Sequence, residues 1–337
     1  MSDSLRIISR DNGVGLSRDL ALLGGALADA GLVVDRVGFG GDRTGVRLRE
    51  AGLWARRVLR GKVETQLFCE RVYPHCLPLA RRNLLIPNPE WFLPKWLPWL
   101  PRFEQVLCKT RHAERIFRRL GCRTRYLGFT SADRLDLSVP RRPSFFHLAG
   151  RSSAKGTQVL LQTWLRHPEW PLLTVVQHPR KAGTPVRAGN IDHRAEHVDD
   201  ATLRRLQNEH LFHVCPSETE GFGHYLMEAL SVGAITLATA AEPMTELVTA
   251  ARGLLIQPVR QAEDGLATRY FVDATAIEQA VEQALALSAA QRSRLCMQAR
   301  HFYVGNDAAF RERLARLLVE DGRIEAADVA AAAAMHG

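Results

Sequence analysis

One stretch constrains the fold of this chain more than any other, the run from Cys215 to Val248. The apolar segment Leu211 to Val214 has the character of a buried strand. It leads into Pro216-Ser217-Glu218-Thr219-Glu220-Gly221-Phe222-Gly223, whose small and polar residues suit a loop. Leu226, Ala229, Leu230 and Val232 then mark a helix that Gly233 ends, and Ile235 to Ala238 reads as a second strand. Strand, loop, helix, strand is the repeat of a parallel α/β sheet, and ligands of such sheets sit at the carboxyl ends of the strands. Glycines at 221 and 223 let the backbone come close to a phosphate, and the helix behind them presents unpaired N–H groups. The loop suits an anion.

Two carboxylates frame it, Glu220 before the glycines and Glu228 two turns into the helix. An ionised oxygen accepts hydroxyl hydrogen bonds worth roughly 1.5–3 kcal/mol each, so a ligand with phosphate at its centre and hydroxyls at both ends fits this frame. The Pro-Ser, Gly-Phe-Gly, Glu-Ala and Gly-Ala-Ile spacing resembles the donor-binding signature of GT-B glycosyltransferases, in particular the family 4 group. The resemblance implies that Glu220 contacts hydroxyls of the donor sugar, that Gly221, Phe222, Gly223 and His224 lie by the sugar and phosphate, and that Glu228 holds the nucleotide ribose. A plain surface loop and an ordinary helix are the competing reading.

At 337 residues the chain suits two domains of ordinary size. No run of eighteen apolar residues and no charged-then-apolar N-terminal pattern occurs, so a cytoplasmic protein is expected. The six cysteines form no CxxC pair, which favours buried reduced thiols. Charge is unevenly spread: residues 1–143 hold 26 Lys and Arg against 14 Asp and Glu, a net of +12, and the remainder carries −3. The first half either meets an anionic partner, such as a glycan, a lipid-linked saccharide, a membrane surface or nucleic acid, or is simply basic for solubility.

Along the first half, Leu5 to Ser9 reads as a strand. Gly13 and Gly15 form a turn before a helix with Leu20, Leu23 and Leu27 on one face, and the resemblance places both glycines by the donor. Residues 43–62 read as a basic amphipathic helix that could lie on anionic lipid or present a solvated face. A later strand, Asn83 to Pro87, ends in Asn88-Pro89-Glu90-Trp91. Asn88, Glu90, Trp91 and His75 are therefore expected at the acceptor, with Glu90 a candidate general base. Many family 4 members have a histidine near here, and this chain offers Asn88 and Glu90 instead. The run Trp91 to Pro101, dense in Trp and Pro, cannot form a regular helix; it reads as a loop that is either pinned to the core or docked on lipid, sugar or base. Alternating strands and helices continue to Leu127.

The second half opens with a strand, Phe145 to Ala149, and then Gly150-Arg151-Ser152-Ser153-Ala154-Lys155-Gly156. The resemblance puts Gly150 beside the donor and gives Arg151 and Lys155 to its pyrophosphate, an Arg forking onto oxygens and a Lys supplying a point charge. His178 to Ile191 reads as a basic loop near the nucleotide base, Asp199-Asp200 as a helix cap, and Ala276–Leu287, Ala289–Phe302 and Ala308–Leu318 as helices. The expected architecture is GT-B: an acceptor domain over 1–143, a nucleotide-sugar domain over 144–305 facing it across a cleft, and a helix over 306–337 that crosses back before an Ala-rich tail.

The expected reaction moves a sugar from a nucleoside diphosphate to a hydroxyl, with retention as the family habit. Arg151, Lys155 and the Gly221–Gly223 backbone stabilise the departing diphosphate without a metal, and Glu220 and Glu90 complete the catalytic set. No cofactor beyond the nucleotide sugar is expected. The alternatives are transfer to nucleic acid, a sugar-nucleotide epimerase and a non-catalytic sugar-nucleotide sensor.

Overall fold

The computed structural model describes residues 5–10, 15–40 and 43–319, so Gly13 and the Ala-rich tail lie outside the described residues. The chain forms two compact units, one made of the residues up to Phe129 and those from Ala308 onward, the other of Thr130–Asp307.

Unit 1 runs β1 (Leu5–Ser9), α1 (Gly15–Asp29), β2 (Val34–Gly38), α2 (Arg43–Arg60), β3 (Val63–Cys69), β4 (Ala80–Ile86), β5 (Gln105–Cys108), α3 (Arg111–Arg119) and β6 (Thr124–Tyr126). Its six strands pair in parallel in the order β2-β1-β3-β4-β5-β6. Runs such as Leu5–Ser9 and Gln66–Cys69 are buried throughout, as a sheet covered on both faces requires. The Trp-Pro run forms 3₁₀ turns over Pro94–Arg102, because prolines at 98 and 101 remove the donors an α-helix needs. Phe92 and Trp96 pin it, with Phe92 edge-on to Trp96 at 5.5 Å and to Phe117 at 5.2 Å. On α2 only Leu53 is buried among the large apolar residues, and Leu48, Val58 and Leu59 are exposed beside Arg47, Arg56 and Arg60.

Unit 2 runs β7 (Arg142–Gly150), α4 (Thr157–Leu165), β8 (Leu173–Gln177), α5 (Pro179–Ala182), β9 (Arg187–Ala188), β10 (Ile191–Arg194), α6 (Asp200–Glu209) and β11 (His210–Cys215). It continues with α7 (His224–Ser231), β12 (Ile235–Thr239), α8 (Met244–Leu247), β13 (Gly253–Ile256), β14 (Arg260–Asp264), β15 (Ala267–Phe271), α9 (Ala274–Ala286) and α10 (Ala289–Val319). The main sheet has the order β13-β12-β11-β7-β8-β10-β9. Successive residues of β7 enter opposite layers, Phe145 stacking on Phe212 at 4.7 Å beside Trp164, and Phe146 packing with Val176 and Leu206. The chain moves outward from β7 through β8 and β10, then returns to β11 on the other side. The topological switch point therefore lies between β7 and β11.

Three elements differ from the sequence expectation. Within the basic loop His178–Ile191, β9 pairs with β10, and β10 adds a parallel strand beside β8. Residues 260–271 form a separate two-stranded hairpin, β14–β15. The helices expected over 289–302 and 308–318 are one helix of 31 residues. Gly305 costs that helix about 1 kcal/mol. On either side of it, Tyr303 donates to the Ser131 carbonyl at 2.8 Å and Asp307 accepts from Thr130 at 2.9 Å. Residues 130–143, expected in the first domain, are held within unit 2, where Arg134 pairs with both carboxylate oxygens of Asp200 and Arg141 donates to the Gly233 carbonyl.

Burial also sets an acid limit. It depresses His147 and His210 to about 4 and His213 to about 3, against 6.5 for a free imidazole. His147 is the Nδ1–H tautomer, since Nδ1 must donate to the Val214 carbonyl and Nε2 accepts from Thr157. An unfolded chain takes up these protons below pH 6.5 and the folded unit does not, so each histidine supplies stability above pH 6.5 that is lost as pH falls toward its folded value, on the order of 3 kcal/mol each. The melting temperature should decline steadily below pH 6.5, with unfolding before pH 4. A profile flat from pH 7 to 5 would contradict this.

Candidate functional site

The switch point of unit 2 is built from the loops that follow β7 and β11. They touch. Gly156 caps α4 at φ +64°, and a Cβ there would meet the Pro216 carbonyl oxygen at 2.5 Å. The Glu218 amide donates to the Ala154 carbonyl at 3.0 Å, and the His178 amide donates to the Gly150 carbonyl at 2.8 Å. Gly223 caps α7 at φ +98°, where its missing Cβ leaves room for Leu226. Gly150, Arg151, Gly221, Phe222 and Gly223 thus lie on the two loops at the carboxyl ends of the central strands β7 and β11.

Lys155 pairs with Glu220, and its ammonium lies 3.7 Å from the centre of the Tyr225 ring. Ser217 donates to Glu220 and hydrogen-bonds the Tyr225 hydroxyl. Thr239 Oγ1 in turn donates to the Ser217 carbonyl at 2.7 Å. Burial raises the Tyr225 phenol well above its ordinary value, so it stays protonated. Lys155 and Glu220 neutralise each other, and a phosphate arriving here would take Lys155 in place of, or together with, Glu220. Arg151 is exposed four residues before Lys155, and its charge helps depress His178, after burial as the first cause.

Glu228 is set apart from that cluster. It is 1% exposed, and its Oε2 accepts from Gln207 at 2.7 Å. Gln207 is held by Arg134 at 2.8 Å, and Arg134 by Asp200. His224 Nδ1 meets Ser131 Oγ at 2.7 Å, turned toward the segment that precedes β7.

Several participants escaped sequence reading. Ser217 and Tyr225 stood inside the organising stretch without a family role. Arg269 of the β14–β15 hairpin pairs with Glu218, and the Tyr270 amide donates to the Glu218 carbonyl at 2.7 Å, a contact across fifty residues with no local signal.

In unit 1, Asn88 is buried and donates to Glu70. Glu90 and Trp91 occupy the 3₁₀ turn Pro89–Trp91. His75 is exposed and has no hydrogen-bond or ion-pair partner among the described residues, so it is not brought into the Asn88 cluster. Gly15 opens α1. Among the described residues no group of three or more His, Cys, Asp or Glu could hold a metal, and no helix is long and apolar enough to cross a membrane.

Residues 195–300 match the family described as Glycosyl transferases group 1. Sequence comparison with curated proteins gives no match. Among solved structures, a glycosyltransferase from Rickettsia africae is 12% identical with a TM-score of 0.70, covering 95% of this chain and 97% of that one. Sucrose-phosphate synthase from Thermosynechococcus elongatus is 16% identical, TM-score 0.70, covering 94% and 98%. Anabaena HepE, solved with UDP and glucose, is 12% identical, TM-score 0.67, covering 94% and 99%. The chain has the GT-B fold, and its residues 195–300 match the group 1 glycosyl transferases.

Proposed function

We propose that this protein transfers a sugar from a nucleoside diphosphate sugar to a hydroxyl of an anionic acceptor, a glycan or lipid-linked saccharide, with retention. The observation that carries this reading is the Lys155–Glu220–Ser217–Tyr225 cluster at the switch point of unit 2. A cation for phosphate and a carboxylate for sugar hydroxyls stand side by side there, with the N-terminus of α7 behind them. In this reading Arg151, Lys155 and the backbone of Gly221–Gly223 take the charge that develops on the departing diphosphate. Glu220 orients the donor sugar and Glu228 takes the ribose. The Anabaena structure, which shares the fold and holds UDP and glucose, supports a nucleotide sugar as the donor. The exposed Arg47, Arg56 and Arg60 of α2, next to exposed Leu48, Val58 and Leu59, support an acceptor presented on an anionic lipid surface.

A thermal-shift panel of UDP, GDP, dTDP, ADP and CMP tests the donor half. One diphosphate should stabilise the wild type by about 2.7 kcal/mol at a hundred times its Kd. Glu228→Ala should weaken that nucleotide by about 1.5–3 kcal/mol, roughly ten- to a hundredfold. Affinity unchanged by Glu228→Ala, or no shift with any nucleotide, would overturn the placement.

A further inference from the structure

The β14–β15 hairpin forms a sheet of its own, separate from the two main ones. Apart from Ala267 its residues are half-exposed or exposed, so it adds little to a core. A two-stranded ribbon of this length is marginal by itself, and what it docks on decides whether it holds. Within the hairpin, Arg260 lies over the Phe271 ring at 3.7 Å. Arg269 and Tyr270 instead reach out of it, and both meet one residue, Glu218.

That residue lies in the loop after β11, two positions before Glu220. Arg269 Nε donates to Glu218 Oε2 at 2.9 Å, and Nη2 donates to the same oxygen. The Tyr270 amide donates to the Glu218 carbonyl at 2.7 Å. Two consecutive peptide groups of the loop are therefore held from three sides. The group joining Ser217 to Glu218 accepts from Thr239 of β12 at 2.7 Å through its carbonyl and donates to Ala154 at 3.0 Å through its amide. The group joining Glu218 to Thr219 accepts from Tyr270. β12 and the loop after β7 belong to the main sheet, and the hairpin supplies the third anchor from outside it.

The position of this anchor matters for the cluster beside it. Ala154 precedes Lys155, so the Ala154–Glu218 bond and the Lys155–Glu220 pair are neighbouring rungs between the same two loops. Holding Glu218 from a third side fixes where the second rung falls. The Arg269 and Glu218 side chains are 35% and 15% exposed, and ion pairs so open to water contribute little to overall stability. Control of a loop accounts better for a pair that spans fifty-one residues.

We propose that Arg269 is a positioning residue: through Glu218 it holds the loop after β11 so that Glu220 stays against Lys155, and the β14–β15 hairpin serves as the outer support of that loop. The consequence for nucleotide binding rests on the transferase reading above; the support of the loop does not.

Amide hydrogen exchange on the full chain, with the nucleotide panel run on the same proteins, tests this. Arg269→Met should speed exchange over Thr219–Gly221 roughly tenfold or more and leave β12 and β13 unchanged, which shows that the sheet is intact. It should also weaken whichever nucleotide binds the wild type by roughly fivefold or more. Arg269→Lys should restore part of both losses. Glu218→Gln, which leaves the hairpin itself unaltered, should loosen the same segment, and the double variant should be no worse than Arg269→Met. Unchanged exchange over Thr219–Gly221 in both Arg269→Met and Glu218→Gln would overturn the proposal. So would additive losses in the double variant, or an Arg269→Lys protein as impaired as Arg269→Met. Faster exchange with undiminished nucleotide affinity would overturn the positioning role. If no nucleotide shifts even the wild type, the donor reading falls, and the loop support stands or falls on the exchange result alone.

Discussion

Gly156→Ala is expected to destabilise unit 2 by about 2–5 kcal/mol and to weaken nucleotide binding with it. Two separate effects add at this position. The left-handed φ of +64° disfavours any L side chain by roughly 1–2 kcal/mol. The new Cβ would also stand 2.5 Å from the Pro216 carbonyl oxygen and about as close to the proline ring as 3.1 Å, and forcing such a contact apart costs a further 1–3 kcal/mol or so. Pro216 opens the loop that carries Ser217 and Glu220, so relief of the clash moves the Lys155–Glu220 cluster. Gly150→Ala is the control. Its φ is +57° and its Cβ would meet nothing within 4 Å, so only the backbone penalty applies. Urea denaturation of both variants, with nucleotide titrations, decides the matter. Equal losses for the two would mean that the loops do not depend on each other.

Lys109→Met should cost about 3–5 kcal/mol, since it leaves Asp19 charged, buried and without its cation. Burial alone would lower the ammonium pKa, but Asp19 and Glu70 outweigh it and the net shift is upward. The pair's contribution is thus fully present below the unfolded lysine pKa of about 10.4 and is lost only as pH rises through the higher folded value. Combining Lys109→Met with Asp19→Asn should recover part of the loss, because the second change removes the stranded charge. A double variant as unstable as the sum of the singles would show that the two side chains do not interact.

Much of the fold was legible in short-range pattern. Leu5–Ser9 and Ile235–Thr239 are strands where the apolar runs placed them. Asp199 caps α6 by accepting from the Thr202 amide, as its residue type suggested. Patterns of this kind depend only on neighbours in the chain. β9, β10 and the β14–β15 hairpin were missed because their residues are mostly polar and half exposed, so alternation did not mark them. The break expected near Gly305 failed for the opposite reason, since contacts from Ser131 and Thr130 outweigh a local propensity of about 1 kcal/mol.

For the candidate site the division is sharper. In the sequence, turn and cap residues written within a few positions of each other marked the loop, and the family resemblance singled out Glu220, Glu228, Arg151 and Lys155. Only the tertiary structure decided which side chains act on one another. It joined Lys155 to Glu220 across sixty-five residues, turned Glu228 toward Gln207, and gathered Asp19, Glu70, Asn88 and Lys109 from four separate elements. The physical reason is that burial and charge pairing are properties of distance in space, which the order of strands in a parallel sheet sets and the linear spacing of residues does not.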